Sequence, residues 1–262
     1  LVTALIDART LHNGKVLETD LANVCGGPAG LSMALALADS PFKVALLASG
    51  GLHFDPQVQK MYAGTQQGVP YLGLDVSRLR YLGGSTNHWG GYCRPLDSVD
   101  FEKRDGLAYS GWPLTKAALE PYVARAQALC EAGPVLYDKA GPAMQAKGRL
   151  LPLGKGGVYT SWFQFSKTRG DVLPTHFGER YEQDLRNAAR VIPYIHANVM
   201  GLRLSPDARA IARLDMGSLA GNRFTVKPRY VVLAAGAMEN ARLLLVSNDV
   251  AAAGVGNQND LV

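Results

Sequence analysis

The chain has few cysteines, and they lie far apart. Only Cys25, Cys93 and Cys130 occur in 262 residues. An odd number of widely spaced cysteines makes neither a disulfide framework nor a zinc site. A lone cysteine such as Cys93 more often acts as a small buried hydrophobe than as a redox group. The sequence therefore predicts no metal site and no redox pair.

Clustered charge and long apolar runs are also missing. The formal net charge is +5 with a pI near 9.1, but lysine and arginine are scattered rather than gathered in a run. No basic stretch is interleaved with aromatic residues, so nucleic acid is not an expected partner. No segment reaches the length of apolar sequence that a transmembrane helix needs. We therefore expect a basic, solvated surface and no transmembrane segment.

The chain does contain a strand, turn, helix and strand in succession. Hydrophobic residues make up 47% of the chain, which also holds 29 glycines. Asp20–Val24 and Lys43–Ala48 have the composition of strands, Cys25–Gly30 that of a tight turn, and Leu31–Ala38 that of a buried helix. In such a βαβ unit the N-terminus of the helix offers free N–H groups and a positive dipole end to a phosphate. The pattern predicts a Rossmann-like unit that binds a dinucleotide.

This unit departs from the dinucleotide fingerprint at two positions. Cys25 stands where the first glycine of Gly-x-Gly-x-x-Gly makes the sharp turn, and its Cβ is unfavourable there if φ is positive. The second strand ends in Ala48 where an acidic residue would bind the ribose; Ser49 is a weak substitute and Asp55 lies beyond the turn. The fold is therefore more strongly indicated than the affinity for a dinucleotide.

A second glycine-rich segment runs from Arg80 to Arg94. Gly83, Gly84, Gly90 and Gly91 surround one histidine and one tryptophan. Glycines allow close approach of the backbone and positive φ, and Trp89 offers a flat apolar surface. This composition predicts a loop that holds a large aromatic cofactor.

Four stretches, in order, resemble the N-terminal part of glucose–methanol–choline (GMC) flavoproteins, in the branch of bacterial sugar and alcohol dehydrogenases and pyranose oxidase-like enzymes. They are Leu17–Gly51, Leu82–Phe101, Ser110–Leu114 with Glu120–Tyr122, and Val231–Leu245. The resemblance implies an FAD cofactor and hydride transfer from an alcohol to the flavin. It also implies that the C-terminal substrate domain, with the proton-accepting histidine and its His or Asn partner, is missing, so the catalytic residues are unknown.

The glycine turns and the resemblance together give a candidate FAD-binding set. Its members are Gly26, Gly27, Gly30, Gly83, Gly84, Ser85, Asn87, His88, Trp89, Gly90, Val199, Ala235, Gly236, Glu239 and Asn240.

Several of these residues have more than one interpretation. His88 matches the histidine that some family members link covalently to the flavin; it could instead contact the cofactor non-covalently or be a packed loop residue. Trp89 packs either on the cofactor or in the core. Glu239, Asn240 and Arg242 lie on a helix that begins near the cofactor. Helix capping and ion pairing are the alternative explanation for all three residues. His196 is expected to be an ordinary strand histidine.

The expected fold is α/β: a Rossmann-like FAD-binding domain with an inserted β-meander and a helical and loop lobe. Residues 1–105 form the first part of the FAD-binding domain, 106–190 the lobe, and 191–262 the meander and the return to the sheet. In the lobe, Thr115 caps a helical stretch, Pro121 begins a second helix to about Cys130, and 134–157 is a surface excursion. Thr175 caps a helix to Asn187, and the meander's last strand, Asn222–Val226, precedes the final Rossmann strand, Arg229–Ala234.

Two functions remain open at this level. The first is an FAD-dependent oxidoreductase acting on CH–OH groups of a sugar, polyol or other alcohol, a dehydrogenase rather than an oxidase, with an electron-acceptor protein or quinone as second partner. The second is a degenerate GMC-like protein with weak or no FAD binding and no catalysis, supported by Cys25 and Ala48. Both a cytoplasmic and a periplasmic location are compatible with a chain that starts at Leu1.

Overall fold

A computed structural model describes residues 4–137, 153, 157–158, 160–167 and 174–260. The contacts divide the chain into two compact units. The first unit combines Leu1–His88 with His176–Val262, and the second is Trp89–Thr175. The division into 1–105, 106–190 and 191–262 remains a prediction.

The first unit is built on a seven-stranded, mostly parallel sheet. The strands of the described residues are β1 Ile6–Asp7, β2 Lys15–Val24, β3 Val44–Leu47, β4 Tyr92–Cys93, β5 Gln164–Phe165, β6 Val191–Ile195, β7 Asn198–Leu204, β8 Ile211–Gly217 and β9 Arg223–Leu233. The strand order of the large sheet is β1-β6-β3-β2-β9-β8-β7. Neighbouring strands from β1 to β9 in this order are parallel, whereas β9-β8 and β8-β7 are antiparallel. The expected Rossmann-like α/β fold is confirmed.

The β-meander does not end before the final Rossmann strand, as expected from the sequence. The two predicted strands are one continuous strand, β9, which pairs antiparallel with β8 up to Val226 and parallel with β2 from Phe224 to Leu233. Pro228 lies between the two predicted segments, and proline cannot donate to a strand ladder. It is tolerated because the β8 pairing has already ended at Val226.

The two faces of the sheet bury different layers. Ala22 and Val24 of β2 join Ala45 and Leu47 of β3 in one apolar cluster, as the two-residue alternation of strand side chains requires. The alternate residues Asn23 and Leu46 are fully buried on the opposite face. Both faces of β3 are therefore covered, as is usual for a central parallel strand.

The helices of the described residues are α1 Pro28–Ala36, α2 Pro56–Gln59, α3 Ser98–Phe101, α4 Lys116–Leu129, α5 Phe177–Asn187 and α6 Ala237–Val246. Helix α1 begins at Pro28, three residues before the predicted start, because proline suits the first turn of a helix. The predicted cap at Thr175 is wrong: His176 is the N-cap of α5, and the Thr175 hydroxyl donates to Glu131 Oε2 at 2.5 Å.

The second unit contains α3, α4 and the antiparallel pair β4 and β5. Thr115 caps α4 as predicted, since its Oγ1 accepts from Ala118 N at 3.3 Å. The predicted second helix at Pro121 is wrong, because α4 continues through this proline to Leu129. Most of the predicted excursion at 134–157 lies outside the described residues. No helix of the described part is both long and apolar enough to cross a membrane.

Candidate functional site

A cleft in the first unit opens at the carboxyl ends of three neighbouring strands. Val24 ends β2, Leu47 ends β3, and Ala235 follows the end of β9. The chain leaves β2 with β3 on one side of it and β9 on the other, and ligands of open α/β sheets bind at such a switch point. The residues that line the cleft are Val24, Cys25, Leu47, Ser49, Tyr62, Arg80, Ala197, Val199, Ala235, Glu239, Arg242 and Leu243.

The first glycine turn brings backbone groups to one side of this cleft. Gly27 is the N-cap of α1 and provides no side-chain cap, so the first N–H groups of the helix are left for other acceptors. Gly30 packs directly on the turn: a Cβ there would lie 1.9 Å from the carbonyl oxygen of Cys25. Asn23 stabilises the turn, because its Nδ2 donates a hydrogen bond to Gly30 O at 2.7 Å.

Cys25 has the unfavourable conformation that the sequence suggested. Its φ is +96°, in the region where a side chain is strained and glycine is favoured. Burial raises the pKa of the Cys25 thiol, so the group in the turn is neutral. The residue therefore adopts the backbone turn of the fingerprint, but with strain.

The second glycine loop packs closely on the first turn, with a hydrogen bond between their backbones. Gly83 N donates to Gly26 O at 2.8 Å. A Cβ on Gly84 would lie 3.0 Å from the Cα of Gly27, and one on Gly83 would lie 2.6 Å from Gly178 N. Both glycines have positive φ, +94° at Gly83 and +55° at Gly84. The structure thus brings together the two segments that the sequence proposed as one cofactor site.

The polar residues after these glycines have different environments. Asn87 Nδ2 donates to Leu82 O at 2.8 Å, and Ser85 Oγ accepts weakly from Leu79 N at 3.4 Å, so both stabilise the loop. His88 is exposed, which argues against a packed loop histidine. Trp89 and Gly90 belong to the second unit, where Trp89 Nε1 donates to Thr175 O at 3.1 Å.

The end of β3 carries no acidic residue in the cleft. Ala48 is buried beside Gly26, whereas the next residue, Ser49, lines the cleft with its hydroxyl group. Asp55 caps α2 by accepting from Gln57 N at 2.8 Å. Ser49 is therefore the polar side chain that β3 presents to a ligand.

The turn from β9 to α6 supplies the opposite side of the cleft. Asn240 stabilises this turn: its Oδ1 accepts from Ala235 N and its Nδ2 donates to Leu233 O, at 3.0 and 3.1 Å. Its amide is thus used by the protein itself. Gly236 is the N-cap of α6, and Glu239 in the first helical turn lines the cleft together with Val199 of β7.

Sequence reasoning did not include Arg80 and Tyr62 in the candidate set, yet both line the cleft, as does Arg242, for which ion pairing was expected. Glu239 Oε1 accepts from Arg78 Nη1 at 3.2 Å. Its Oε2 lies 3.5 Å from Arg80 Nη1 and 3.0 Å from Arg242 Nε. Burial raises the pKa of Glu239, but the charges and hydrogen bonds of the three arginines outweigh burial and leave its pKa below the ordinary value.

Two further expectations are corrected. His196 lies in the turn between β6 and β7 with φ +55°, not on a strand, and burial lowers its pKa. Cys93 is not a lone cysteine: its thiol donates to Gly91 O at 3.6 Å, and burial together with the neighbouring Cys93 raises the pKa of Cys130 to about 12. The wide spacing of Cys93 and Cys130 in the sequence concealed their proximity.

In the described part of the chain, no group of three or more His, Cys, Asp or Glu residues could hold a metal ion.

The fold and part of the sequence are similar to those of known oxidoreductases. No protein-family model matches the chain. It is 25% identical over 182 residues to 2-methyl-1,2-propanediol dehydrogenase of Mycolicibacterium austroafricanum, which covers 59% of this chain and 31% of that protein. The solved structures that match in fold are GMC oxidoreductases.

Three of these structures show the extent of the match. A fungal aryl-alcohol oxidase has a TM-score of 0.57 at 17% identity, covering 91% of this chain and 48% of that chain. Formate oxidase of Aspergillus oryzae has 0.56 at 17%, with coverages of 91% and 48%. Pyridoxine 4-oxidase of Mesorbium loti has 0.55 at 19%, with coverages of 87% and 52%. The chain therefore spans about half the length of these proteins and about a third of the dehydrogenase.

Proposed function

We propose that this chain is the FAD-binding part of a GMC-type flavoprotein oxidoreductase that acts on CH–OH groups. The observation that carries the proposal is the contact between the two glycine segments beside the cleft, with Gly83 N bonded to Gly26 O at 2.8 Å. It lies in a fold shared with known GMC oxidoreductases. One of the fold relatives, formate oxidase, contains an FAD that is modified.

The residues of the cleft fit a dinucleotide in their backbone and charge. The uncapped N-terminus of α1 offers N–H groups to a pyrophosphate, and Gly84 leaves the space that a Cβ would fill 3.0 Å from Gly27. Arg80 adds a buried cation whose Nε has no hydrogen-bond partner in the described residues. Ser49 would contact the ribose in place of an acidic residue, with a weaker, neutral hydrogen bond.

In this proposal FAD, when bound, supplies the hydride acceptor. The chain's own residues grip and orient the cofactor: the α1 N-terminus and Arg80 hold phosphate, Val199 lies beside the adenine, and the Gly83–Asn87 loop fixes the ring. The exposed His88 imidazole contributes a ring nitrogen to the flavin, either as a contact or as the site of a covalent bond. The substrate is a small alcohol, sugar or polyol.

The type of electron acceptor is the finer part of the proposal. The relative in sequence is a diol dehydrogenase, which favours a dehydrogenase that passes electrons to a protein or quinone. The fold relatives are oxidases, but at 15–19% identity they support the fold and not the acceptor.

The visible spectrum of the purified full-length protein, before and after acid precipitation, tests the proposal. Flavin in the supernatant supports non-covalent FAD, and flavin in the pellet supports covalent attachment, which His88→Ala should abolish. No flavin absorbance after reconstitution with excess FAD would overturn the proposal.

A degenerate protein without FAD is the second candidate. The strained Cys25, with φ +96°, and Ala48 in place of an acidic residue favour it. Absence of flavin together with an unchanged thermal midpoint in FAD would support this second candidate.

A further inference from the structure

Four charged side chains, which we call the Arg–Glu cluster, meet at the cleft. They are Arg78, Arg80, Glu239 and Arg242. The Glu239 carboxylate lies 3.2, 3.5 and 3.0 Å from the guanidinium groups of Arg78, Arg80 and Arg242, respectively. Three cations therefore share one anion, which leaves an excess of two positive charges at the cleft.

Most of this charge is removed from water. The side chains of Arg78, Arg80 and Glu239 are 17%, 11% and 9% exposed. Buried charges require partners, because their lost hydration is costly. Arg80 is incompletely satisfied, since its buried Nε has no hydrogen-bond partner in the described residues. The cluster is therefore short of negative charge and of hydrogen-bond acceptors.

The backbone that carries the two central arginines is held firmly. Buried Gln59 donates from Nε2 to Asp75 O and Arg78 O, both at 2.6 Å, and accepts from Arg80 N at 3.0 Å. Gly50 lies against the same segment, where a Cβ would come within 1.9 Å of Arg80 O. A rigid backbone fixes where the guanidinium groups start but leaves their side-chain torsions free to choose a partner.

Tyr62 gives these guanidinium groups a surface to lie on. The guanidinium carbons of Arg78 and Arg80 lie 4.1 and 4.6 Å from the centre of its ring. This cation–π contact does not depend on which anion each arginine pairs with. Arg80 can therefore exchange its carboxylate partner without losing its packing.

We propose that Arg80 is the phosphate ligand of this cleft and that Glu239 is the anion it pairs with when that ligand is not bound. This inference rests on the proposed function, because the incoming anion is the pyrophosphate of the dinucleotide. A pyrophosphate supplies two negative charges and several acceptors, which match the excess charge and the unpaired Nε. Glu239 keeps Arg242 at 3.0 Å and Arg78 at 3.2 Å, so it remains paired after the exchange.

The exchange gives Glu239 a defined role. Arg80, Tyr62 and Glu239 all line the cleft, so a phosphate that enters it meets the Arg80 guanidinium where that group is paired with Glu239. Glu239 therefore competes with the ligand rather than recognising it.

The test measures binding of FAD, ADP and inorganic pyrophosphate to the full-length protein freed of flavin, by FAD fluorescence and by the shift of the thermal midpoint. Arg80→Gln should weaken FAD binding at least tenfold, and Arg80→Lys should weaken it less. Glu239→Gln should bind FAD several-fold more tightly while having a lower thermal midpoint without ligand. Arg229→Gln is the matched control, since this exposed arginine of β9 also pairs with one carboxylate, Asp20, at 3.4 Å.

The outcomes separate this inference from the proposed function. Wild-type affinity in a folded Arg80→Gln protein, or weaker binding in Glu239→Gln, would overturn the inference while FAD binding stands. If the wild type does not bind FAD, a thermal shift with pyrophosphate that Arg80→Gln loses would support the anion site and reject the proposed function. If neither FAD nor pyrophosphate shifts the wild type, both are rejected.

Discussion

The backbone N–H of Gly83 donates a hydrogen bond of 2.8 Å to the carbonyl of Gly26. This bond joins the turn that begins α1 to the loop that follows Arg80, two segments from distant parts of the chain. A Cβ on Gly26 would lie 2.9 Å from the Cβ of Ala48, one on Gly83 would lie 2.6 Å from Gly178 N, and one on the next residue, Gly84, would lie 3.0 Å from the Cα of Gly27. The candidate site is thus assembled by main-chain packing, and its polar side chains are added around that contact.

Replacing Gly83 by alanine should be much more costly than replacing Gly14. Both glycines have positive φ, +94° and +78°, but a Cβ on Gly83 would lie 2.6 Å from Gly178 N, whereas Gly14 has nothing within 4 Å. Both changes cost about 1 kcal/mol for the backbone conformation, and Gly83→Ala adds about 1–3 kcal/mol for the clash. Urea unfolding measures the difference, and equal losses would contradict the packing described for Gly83.

Cys25→Gly should be more stable than Cys25→Ala. Both variants remove the buried thiol, but only glycine relieves the strain of φ +96°. We expect a difference of about 1 kcal/mol in the free energy of unfolding, measured by denaturant titration. A more stable alanine variant would show that the turn is not strained. Under the proposed function, Cys25→Gly should also raise FAD occupancy.

Gln59 should be essential for holding the arginine segment. Gln59→Leu removes the three hydrogen bonds that this buried side chain makes with the backbone of Asp75, Arg78 and Arg80. The expected loss is about 2–4 kcal/mol of unfolding free energy. Gln66→Leu is the control, because exposed Gln66 makes one bond, to Leu72 O at 3.0 Å, and should change stability by less than about 0.5 kcal/mol. Similar effects of the two changes would refute the role of Gln59 in holding the backbone of Arg78 and Arg80.

The stabilising effect of Glu239 should disappear in acid. Its folded-state pKa is lowered below 4.5 because the arginines outweigh burial, so the unfolded chain takes up the proton first as the pH falls. The contribution is therefore complete above the unfolded pKa and is lost as the pH falls through the folded pKa. The stability difference between the wild type and Glu239→Gln should shrink between neutral pH and about pH 3. A difference independent of pH would mean that folding does not lower the pKa of Glu239.

Cys130 should react slowly with iodoacetamide. Its pKa of about 12 leaves roughly one thousandth of the thiolate that an ordinary pKa of 9.0 gives at pH 8. Mass spectrometry of the alkylated native protein should therefore show labelling of Cys130 roughly a thousandfold slower than in the unfolded protein. Cys93→Ser removes the hydrogen-bonded thiol that helps to raise this pKa and should speed the reaction. Equal native and unfolded rates would disprove the raised pKa.

The strand and turn patterns around Cys25 were readable because they are local. Alternation of apolar residues, glycine spacing and the proline at position 28 restrict the backbone through neighbouring atoms only. They predicted the βαβ unit, the strained turn at Cys25 and the Thr115 cap, and the motifs indicated the fold that the comparisons confirm. Pro121 indicated the start of a second helix, but the remaining hydrogen bonds and packing of α4 outweigh the cost of a proline within it.

By itself, the sequence determined the Rossmann-like fold class and the two glycine segments, since steric limits on each residue act along the chain. Only the tertiary structure decided which distant groups meet: Gly83 with Gly26, Cys93 with Cys130, and Arg80 with Glu239. Such contacts depend on strand order and on the burial of charge, which stabilises or penalises a side chain according to partners far away in sequence. For that reason Glu239 was recognised as a candidate from its motif, whereas its pairing with Arg80 was found only in the tertiary structure.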